Sequence, residues 1–251
     1  MQRNFNSHLT SIAPVTMHLL IINIIVWLAT LVCEKTGILD LTELLGLHFW
    51  KGNAFNPYQF FTYMFMHDTS NIAHIFFNMF SLWMFGSLVE RVLTSKRYLF
   101  YYISCGLGAA LAQELVWQFS WQSILTSRVP GPAATSVTDI INAINSGHAA
   151  FTMNEFYNSM ITVGASGAVF GILLAFGMIF PNVKMYIIPF PFPIKAKWVV
   201  LGYGAIELFF GISGAVSGVA HFAHLGGMIA GIIMILYWKH SGALTRRNGF
   251  Y

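Results

Sequence analysis

The amino-acid sequence predicts an all-α, polytopic membrane protein, a single domain of six transmembrane helices that occupies residues 1–251. Three observations predict this fold class: 56% of the residues are apolar, only 9% are charged, and the apolar residues form stretches of membrane-spanning length. A soluble domain carries about a quarter charged residues, so this chain cannot cover a soluble surface. The same composition excludes a disordered chain, and the presence of only two cysteines excludes a disulfide-stapled secreted module.

Six apolar stretches come close to the length of about 20 residues that an α-helix needs to cross the hydrocarbon core. The predicted spans are residues 14–33, 71–89, 98–118, 165–180, 198–212 and 219–238. Pro14 suits the start of the first helix. This first stretch does not resemble a cleavable signal peptide, because no basic cluster directly precedes it and no small-residue cleavage site closes it.

The basic residues predict the orientation of the six spans. Ten of the 13 lysines and arginines fall on the side that also holds both termini. Because positive loops stay in the cytoplasm, we expect both termini to be cytoplasmic. We further expect a bacterial inner membrane, with the site opening toward the periplasmic face. The net charge of +4 forms no dense basic patch, so nucleic acid is not an expected partner.

Two predicted outer loops are longer than a hairpin requires. Residues 34–70 combine apolar periodicity with an aromatic run, which indicates structure lying partly in the membrane interface. Residues 119–162 form a polar insert rich in Ser, Pro, Gly and Ala, with helical character at 140–144. The sequence assigns this insert no role.

Strongly polar residues lie inside three of the predicted spans, where hydrocarbon makes them costly. His74 and Asn78 share one face of the second span, and His221 and His224 share one face of the sixth. Ser166 lies at the start of the fourth span. Intramembrane polar groups are functional candidates by default, and their matching depth predicts a hydrated cavity that opens to the outer face.

Each of these features also has an ordinary structural explanation. A serine at a helix start is usually an N-cap, and an intramembrane histidine can simply bind a neighbouring carbonyl. Small residues spaced four apart are typical of helix packing in membranes. The glycines with this expected role are Gly164, Gly167, Gly171, Gly227 and Gly231.

Three chemistries could occupy such a cavity. Zinc hydrolysis is disfavoured, because the sixth span reads H-F-A-H with no glutamate general base and no nearby carboxylate. Haem or copper ligation stays possible, although one polar pair is His/Asn. Nucleophilic catalysis fits best, because a serine needs a histidine base and a helix N-terminus supplies oxyanion donors. We therefore expect neither a metal nor another cofactor.

Three motifs give the chain a resemblance to the rhomboid family of intramembrane serine proteases. They are H-I-F-F-N at 74–78, G-A-S-G-A-V-F-G at 164–171 and A-H-F-A-H-L-G-G-M-I-A-G at 220–231. An E-R-x-x-x-x-K-R connection follows the second span, as in the family. The resemblance covers all six predicted spans in the family's order.

The resemblance implies a role for each matching residue. Ser166 is expected to be the nucleophile and His224 its general base, with no third triad member. His74 and Asn78 are expected to donate hydrogen bonds to the oxyanion, together with the Ser166 backbone N–H. His221 is expected either to line the cavity or to support substrate or water directly, without being catalytic, and His67, just before the second span, is expected to line the cavity.

One departure from the family concerns the first outer loop. Family members often carry Trp-Arg there, a pair that braces the loop, whereas this chain has Tyr58-Gln59. The departure concerns the rigidity of the loop rather than the chemistry.

The expected activity is an endopeptidase that cleaves transmembrane protein substrates within membrane lipids. A catalytically inactive relative that binds or remodels membrane helices is the main alternative, and a haem-bearing electron-transfer bundle is the third. The sequence does not predict the oligomeric state or the identity of a substrate.

Overall fold

The computed structural model describes residues 13–129, 136–186, 192–213 and 220–244, which form a mostly helical bundle. The fold class is thereby confirmed. Three of the basic residues used to predict orientation lie outside the described residues, namely Arg3, Arg246 and Arg247. The first residue of the predicted sixth span, Val219, also lies outside them.

The described residues form mainly helices, with a few very short strands. The helices are α1 (Pro14–Thr36), α2 (Leu41–Leu45), α3 (Gln59–Thr62), α4 (Ile72–Ser81), α5 (Ser87–Leu93), α6 (Ser95–Arg128), α7 (Val137–Asn145), α8 (Met153–Asn158), α9 (Ser166–Ile179), α10 (Ala196–Ser213) and α11 (His221–His240). A π-helical turn, Leu82–Gly86, joins α4 to α5. Two short antiparallel pairs connect distant segments: β1 (Leu47–His48) pairs with β2 (Ile161–Thr162), and β3 (Lys184–Met185) pairs with β4 (Ile194–Lys195).

Five helices in the described part of the chain are long and apolar enough to cross a membrane. They are α1, the continuous helix Ile72–Leu93, α6, α10 and α11. The predicted fourth span is α9, which has only 14 residues. At 1.5 Å per residue it is about 21 Å long, shorter than the hydrocarbon core. The total of six spans and the side on which the termini lie therefore stay predictions.

The centre of the bundle is formed by α6, α9 and α11, which meet at glycines. A Cβ atom on Gly227 of α11 would overlap the backbone of Gly167 on α9. On α6, the hydroxyl of Tyr101 donates to the carbonyl of Gly171 at 2.7 Å and occupies the space that a side chain on Gly231 would need. Small residues let these backbones approach closely.

A buried carboxylate ties the first three long helices together. Glu90 of α5 accepts the backbone N–H groups of Val15 at 3.0 Å and Thr16 at 2.8 Å, which have no partner inside α1. It also accepts the Ser95 hydroxyl of α6 at 2.6 Å. The acidic residue of the E-R-x-x-x-x-K-R connection therefore satisfies a helix N-terminus.

The third long helix extends well beyond its predicted end. We expected it to end near residue 118 and the polar insert to begin at 119, but α6 continues to Arg128 and has 34 residues. Its last turns bury Leu125 against Ile140 of α7 and Phe156 of α8 in a separate apolar cluster. The apolar residues of this stretch have helical spacing, but the serines between them make the stretch look like a polar loop. The predicted helical character at 140–144 corresponds to α7.

The first loop is braced by Gln59, one of the two residues that replace the family's Trp-Arg pair. Its side chain is fully buried. The amide oxygen accepts the backbone N–H groups of His48 and Asn56, and the amide nitrogen donates to the carbonyls of Leu44 and Ala54. One side chain therefore fixes four points of the loop backbone.

The insert adds a second brace to the first loop. The Asn158 side chain accepts the backbone N–H of Ala54 and donates to the side chain of Asn53. The β1–β2 pair joins the same loop to the segment just before α9. The end of the bundle that carries these segments is called the loop end below.

Candidate active site

The serine and histidine singled out from the sequence lie in hydrogen-bonding contact at the loop end. Ser166 is the first residue of α9, and His224 lies in the first turn of α11. Their side chains meet at 2.8 Å, between Oγ of the serine and Nε2 of the imidazole. The imidazole is stacked on the ring of Phe170, with centroids 4.2 Å apart and planes within 7°. The aromatic ring fixes the plane in which the histidine can reach the serine.

The backbone around Ser166 suits the stabilisation of a negative charge. The first N–H groups of a helix have no partner within it, and they point out of its N-terminus. Gly164 just before it has φ +134°, a conformation that side chains rarely adopt. A Cβ there would lie 2.9 Å from Nε2 of His74 and 3.5 Å from Oγ of Ser166. The glycine therefore keeps open the space between these two groups.

His74 and Asn78 also face the cavity beside the serine. The backbone N–H of Asp68 donates to Nδ1 of His74 at 3.4 Å, which leaves the ring proton on Nε2, the nitrogen that faces Gly164. The Asn78 amide nitrogen donates one proton to the carbonyl of His74 at 2.9 Å and keeps a second to donate.

The side chains of Ser166, His224, His74 and Asn78 all line one cavity of about 800 Å³. Its rim at the loop end carries three carboxylates, Glu34, Asp40 and Asp68. The Asp68 side chain accepts the hydroxyl of Ser70 at 2.6 Å, and this hydrogen bond lowers the pKa of the carboxyl below its ordinary value. Asp68 therefore carries a negative charge near neutral pH.

His67 does not line this cavity, although the sequence predicts that it would. It lies behind His74, with ring centroids 5.2 Å apart, and is almost fully buried. Neither ring nitrogen has a hydrogen-bond partner among the described residues. Burial, reinforced by the nearby His74, lowers the pKa of His67 to about 3. His67 is therefore a neutral packing group near physiological pH.

His221 does not line the cavity either. It contacts a carboxylate that was not among the predicted site residues. Glu207 of α10 is buried, and its Oε2 accepts a hydrogen bond from Nδ1 of His221 at 2.7 Å. The same oxygen lies 2.9 Å from Nδ1 of His224. The expectation that no carboxylate lies near the histidines of the sixth span is therefore wrong, since Glu207 of the predicted fifth span reaches both of them.

The signal that could have identified Glu207 was present in the sequence. It is the one acidic residue in α10, and an ionisable residue inside an apolar span is a functional candidate by default. Its partners lie on another helix, so no local spacing linked them to it.

A metal ion also has a set of potential ligands here. Within the described ranges, one ligand atom from each of Glu207, His221 and His224 lies within 4.8 Å of the others. Zinc ligands in a tetrahedral site lie about 3.3 Å apart, given bonds of about 2.0–2.1 Å. The present contacts of 2.7 and 2.9 Å are instead hydrogen-bond separations.

The comparisons with known proteins give one match. A family model described as the Rhomboid domain matches residues 54–240, about three quarters of the chain. The match includes the serine, both cavity histidines and the asparagine described above. A search of curated proteins finds no match.

Proposed function

The chain belongs to the rhomboid family and is a multi-pass membrane protein, and from this premise we propose that it is an intramembrane serine endopeptidase. Its substrates are membrane proteins, cleaved in or near their transmembrane segments. The family includes inactive members, so the proposal depends on the chemistry of the site rather than on membership alone.

The single observation that carries the proposal is the 2.8 Å contact between Ser166 Oγ and His224 Nε2. A serine is a weak nucleophile until a base takes its proton, and a histidine at this distance is the usual base. An inactive relative has no need to keep both groups, in contact, at a helix N-terminus within an open cavity.

The proposed reaction follows from the positions of four groups. The Ser166 oxygen attacks the carbonyl carbon of the scissile peptide while His224 Nε2 takes the hydroxyl proton. The resulting oxyanion accepts hydrogen bonds from the Ser166 backbone N–H, from Nε2–H of His74 and from the free amide proton of Asn78. His224 then protonates the leaving amine, and a water molecule, deprotonated by the same imidazole, hydrolyses the acyl-enzyme.

The substrate class follows from the position of the serine among the helices. A peptide bond within a transmembrane helix is covered by its own turns, so the substrate must unwind before its carbonyl can reach Ser166. Residues that are poor helix formers near the scissile bond, above all glycine, should therefore favour cleavage.

We also propose that the loop end faces the periplasm of a bacterial inner membrane, with both termini in the cytoplasm. This orientation rests on the positive-inside rule. A reporter active only in the cytoplasm should be active when fused after Tyr251 and inactive when fused within the segment 136–152. The reverse pattern would overturn the orientation.

The function is tested by cleavage of a reporter transmembrane segment in detergent and by labelling with a fluorophosphonate. Wild type should cleave the reporter and be labelled at Ser166. Ser166→Ala should do neither, and His224→Ala should lose both. A metal chelator should leave cleavage unchanged. A folded wild type that neither cleaves nor is labelled would favour the inactive, helix-binding alternative.

A further inference from the structure

A buried carboxylate in a transmembrane helix needs a specific partner, because hydrocarbon does not solvate its charge. Glu207 is 8% exposed and lies in the middle of α10, which is otherwise apolar around it. Its Oε2 approaches Nδ1 of two imidazoles on α11, at 2.7 Å for His221 and 2.9 Å for His224. One of these imidazoles is the proposed base.

The proposed base can act only in one of its two neutral forms. To accept the proton of Ser166, Nε2 of His224 must carry a lone pair, so the ring's own proton must be on Nδ1. An acceptor beside Nδ1 favours that form and holds the ring in place. It also stabilises the positive charge that develops on the ring when the serine proton arrives.

We propose that Glu207 is a positioning residue for His224, which makes the site a Ser166–His224–Glu207 relay rather than a pair. This inference rests on the proposed function. The carboxylate keeps its charge throughout: the serine proton stays on Nε2 of His224 until the leaving amine takes it. Every distance that such a relay requires is present, 2.8 Å from serine to imidazole and 2.9 Å from imidazole to carboxylate.

The hydrogen bond from His221 accounts for the incomplete alignment between the Glu207 carboxylate and Nδ1 of His224. Its Nδ1–H donates to Glu207 with hydrogen-bond geometry, whereas Nδ1 of His224 lies within 2.9 Å of the same oxygen without the angle of a hydrogen bond. Catalytic hydrogen bonds often align only when the substrate binds. In this arrangement His221 anchors the carboxylate, and Glu207 turns toward His224 as its charge develops.

The test measures the rate constant at which a fluorophosphonate labels Ser166, together with kcat and KM on a reporter transmembrane segment. The variant Glu207→Gln keeps the size of the side chain and removes its charge. We expect labelling and kcat to fall about 10²-fold, less than the loss of about 10⁴-fold caused by the equivalent change in a fully aligned triad. KM should stay unchanged, because Glu207 does not line the cavity.

Three further variants separate positioning from a purely structural role. Glu207→Asp keeps the charge but withdraws the carboxylate, so it should label faster than Glu207→Gln and more slowly than wild type. His221→Ala should lose less than Glu207→Gln, because the carboxylate stays beside His224. The matched control is Glu114→Gln, which changes the buried carboxylate that accepts the backbone N–H of Trp50 at 3.0 Å and should label like wild type.

The outcomes distinguish this inference from the proposed function. A wild type that is neither labelled nor active would overturn the proposed function itself. An active wild type with equal labelling in Glu207→Gln would overturn only the role of Glu207, as would equal losses in Glu207→Gln and His221→Ala. If the glutamine variant fails to fold, a wild-type labelling rate in Glu207→Asp would also overturn it.

Discussion

The backbone of Gly227 lies against the carbonyl of Gly167 so closely that a Cβ atom on Gly227 would overlap the carbonyl oxygen. Each glycine lies within one turn of a proposed catalytic residue, Gly167 beside Ser166 and Gly227 one turn after His224. The separation of these two helix backbones therefore sets the distance between the proposed nucleophile and its proposed base. Packing and catalysis depend here on the same contact.

This contact predicts that Gly227→Ala lowers stability and activity together. The added methyl group meets backbone atoms, which cannot turn aside, and overpacking of this kind typically costs about 1–3 kcal/mol. Thermal unfolding in detergent and cleavage of a reporter segment provide the two measurements. Gly202→Ala is the control, because a Cβ there meets nothing within 4 Å. A variant Gly227→Ala with wild-type stability and activity would contradict the prediction.

The proposed catalytic pair, Ser166 and His224, predicts strongly non-additive losses. Ser166→Ala and His224→Ala should each reduce cleavage to background, and the double variant should be no worse, because the two groups act as one unit. Cleavage of the reporter segment by equal amounts of folded protein measures the effect. Losses that multiply in the double variant would indicate that the two residues act independently.

The proposed oxyanion donors should contribute less than the proposed catalytic pair. His74→Ala and Asn78→Ala should each lower kcat on the order of 10²–10³-fold, or about 3–4 kcal/mol, with KM nearly unchanged. The reason is that the charge they stabilise develops only in the transition state. Steady-state kinetics on the reporter segment separates kcat from KM.

A folded Asn78→Ala variant as inactive as Ser166→Ala would contradict the assignment of Asn78 as an auxiliary donor. Ser81→Ala is a control for this pair, because Ser81 lines the same cavity and is given no role in the reaction. It should retain wild-type kcat.

The sequence predicted the parts of the site that depend on spacing along one helix. His74 and Asn78 are four residues apart, and a helix of any orientation brings them to one face. Glu207 was missed because its partners belong to α11, and only the packing of α10 against α11 brings them together. The extension of α6 was missed for a similar reason, since its apolar side chains pack against the distant helices α7 and α8.

The hydrogen bonds of Gln59 to the first loop predict that a single substitution at this residue lowers the free energy of unfolding substantially. Gln59→Leu keeps the volume but removes four hydrogen bonds, and it leaves the backbone N–H groups of His48 and Asn56 without their acceptor. Because unpaired buried polar groups cost about 1–3 kcal/mol each, the free energy of unfolding should fall by at least about 2 kcal/mol. Denaturation in detergent measures the loss.

The neighbouring Tyr58→Phe is the matched control for this brace. Tyr58 is 44% exposed, and its hydroxyl makes one hydrogen bond, to the carbonyl of Leu44 at 3.1 Å. Its loss should cost less than about 1 kcal/mol. Equal destabilisation in the two variants would mean that the loop is held by other contacts.

The burial of His67 predicts that acid destabilises the protein through this residue. Its pKa is about 3 in the folded protein, against 6.5 for an unperturbed histidine. As the pH falls below 6.5 the unfolded chain takes up a proton that the folded protein refuses, so stability is lost between pH 6.5 and about pH 3. At 1.36 kcal/mol per pKa unit, the loss from this group at pH 4 is about 3 kcal/mol.

His67→Phe keeps a ring in the pocket and should remove this part of the pH dependence, measured as the shift in unfolding midpoint between pH 7 and pH 4. The same change at the exposed His148 should leave the shift as in wild type. An undiminished acid shift in His67→Phe would show that other groups carry the acid sensitivity.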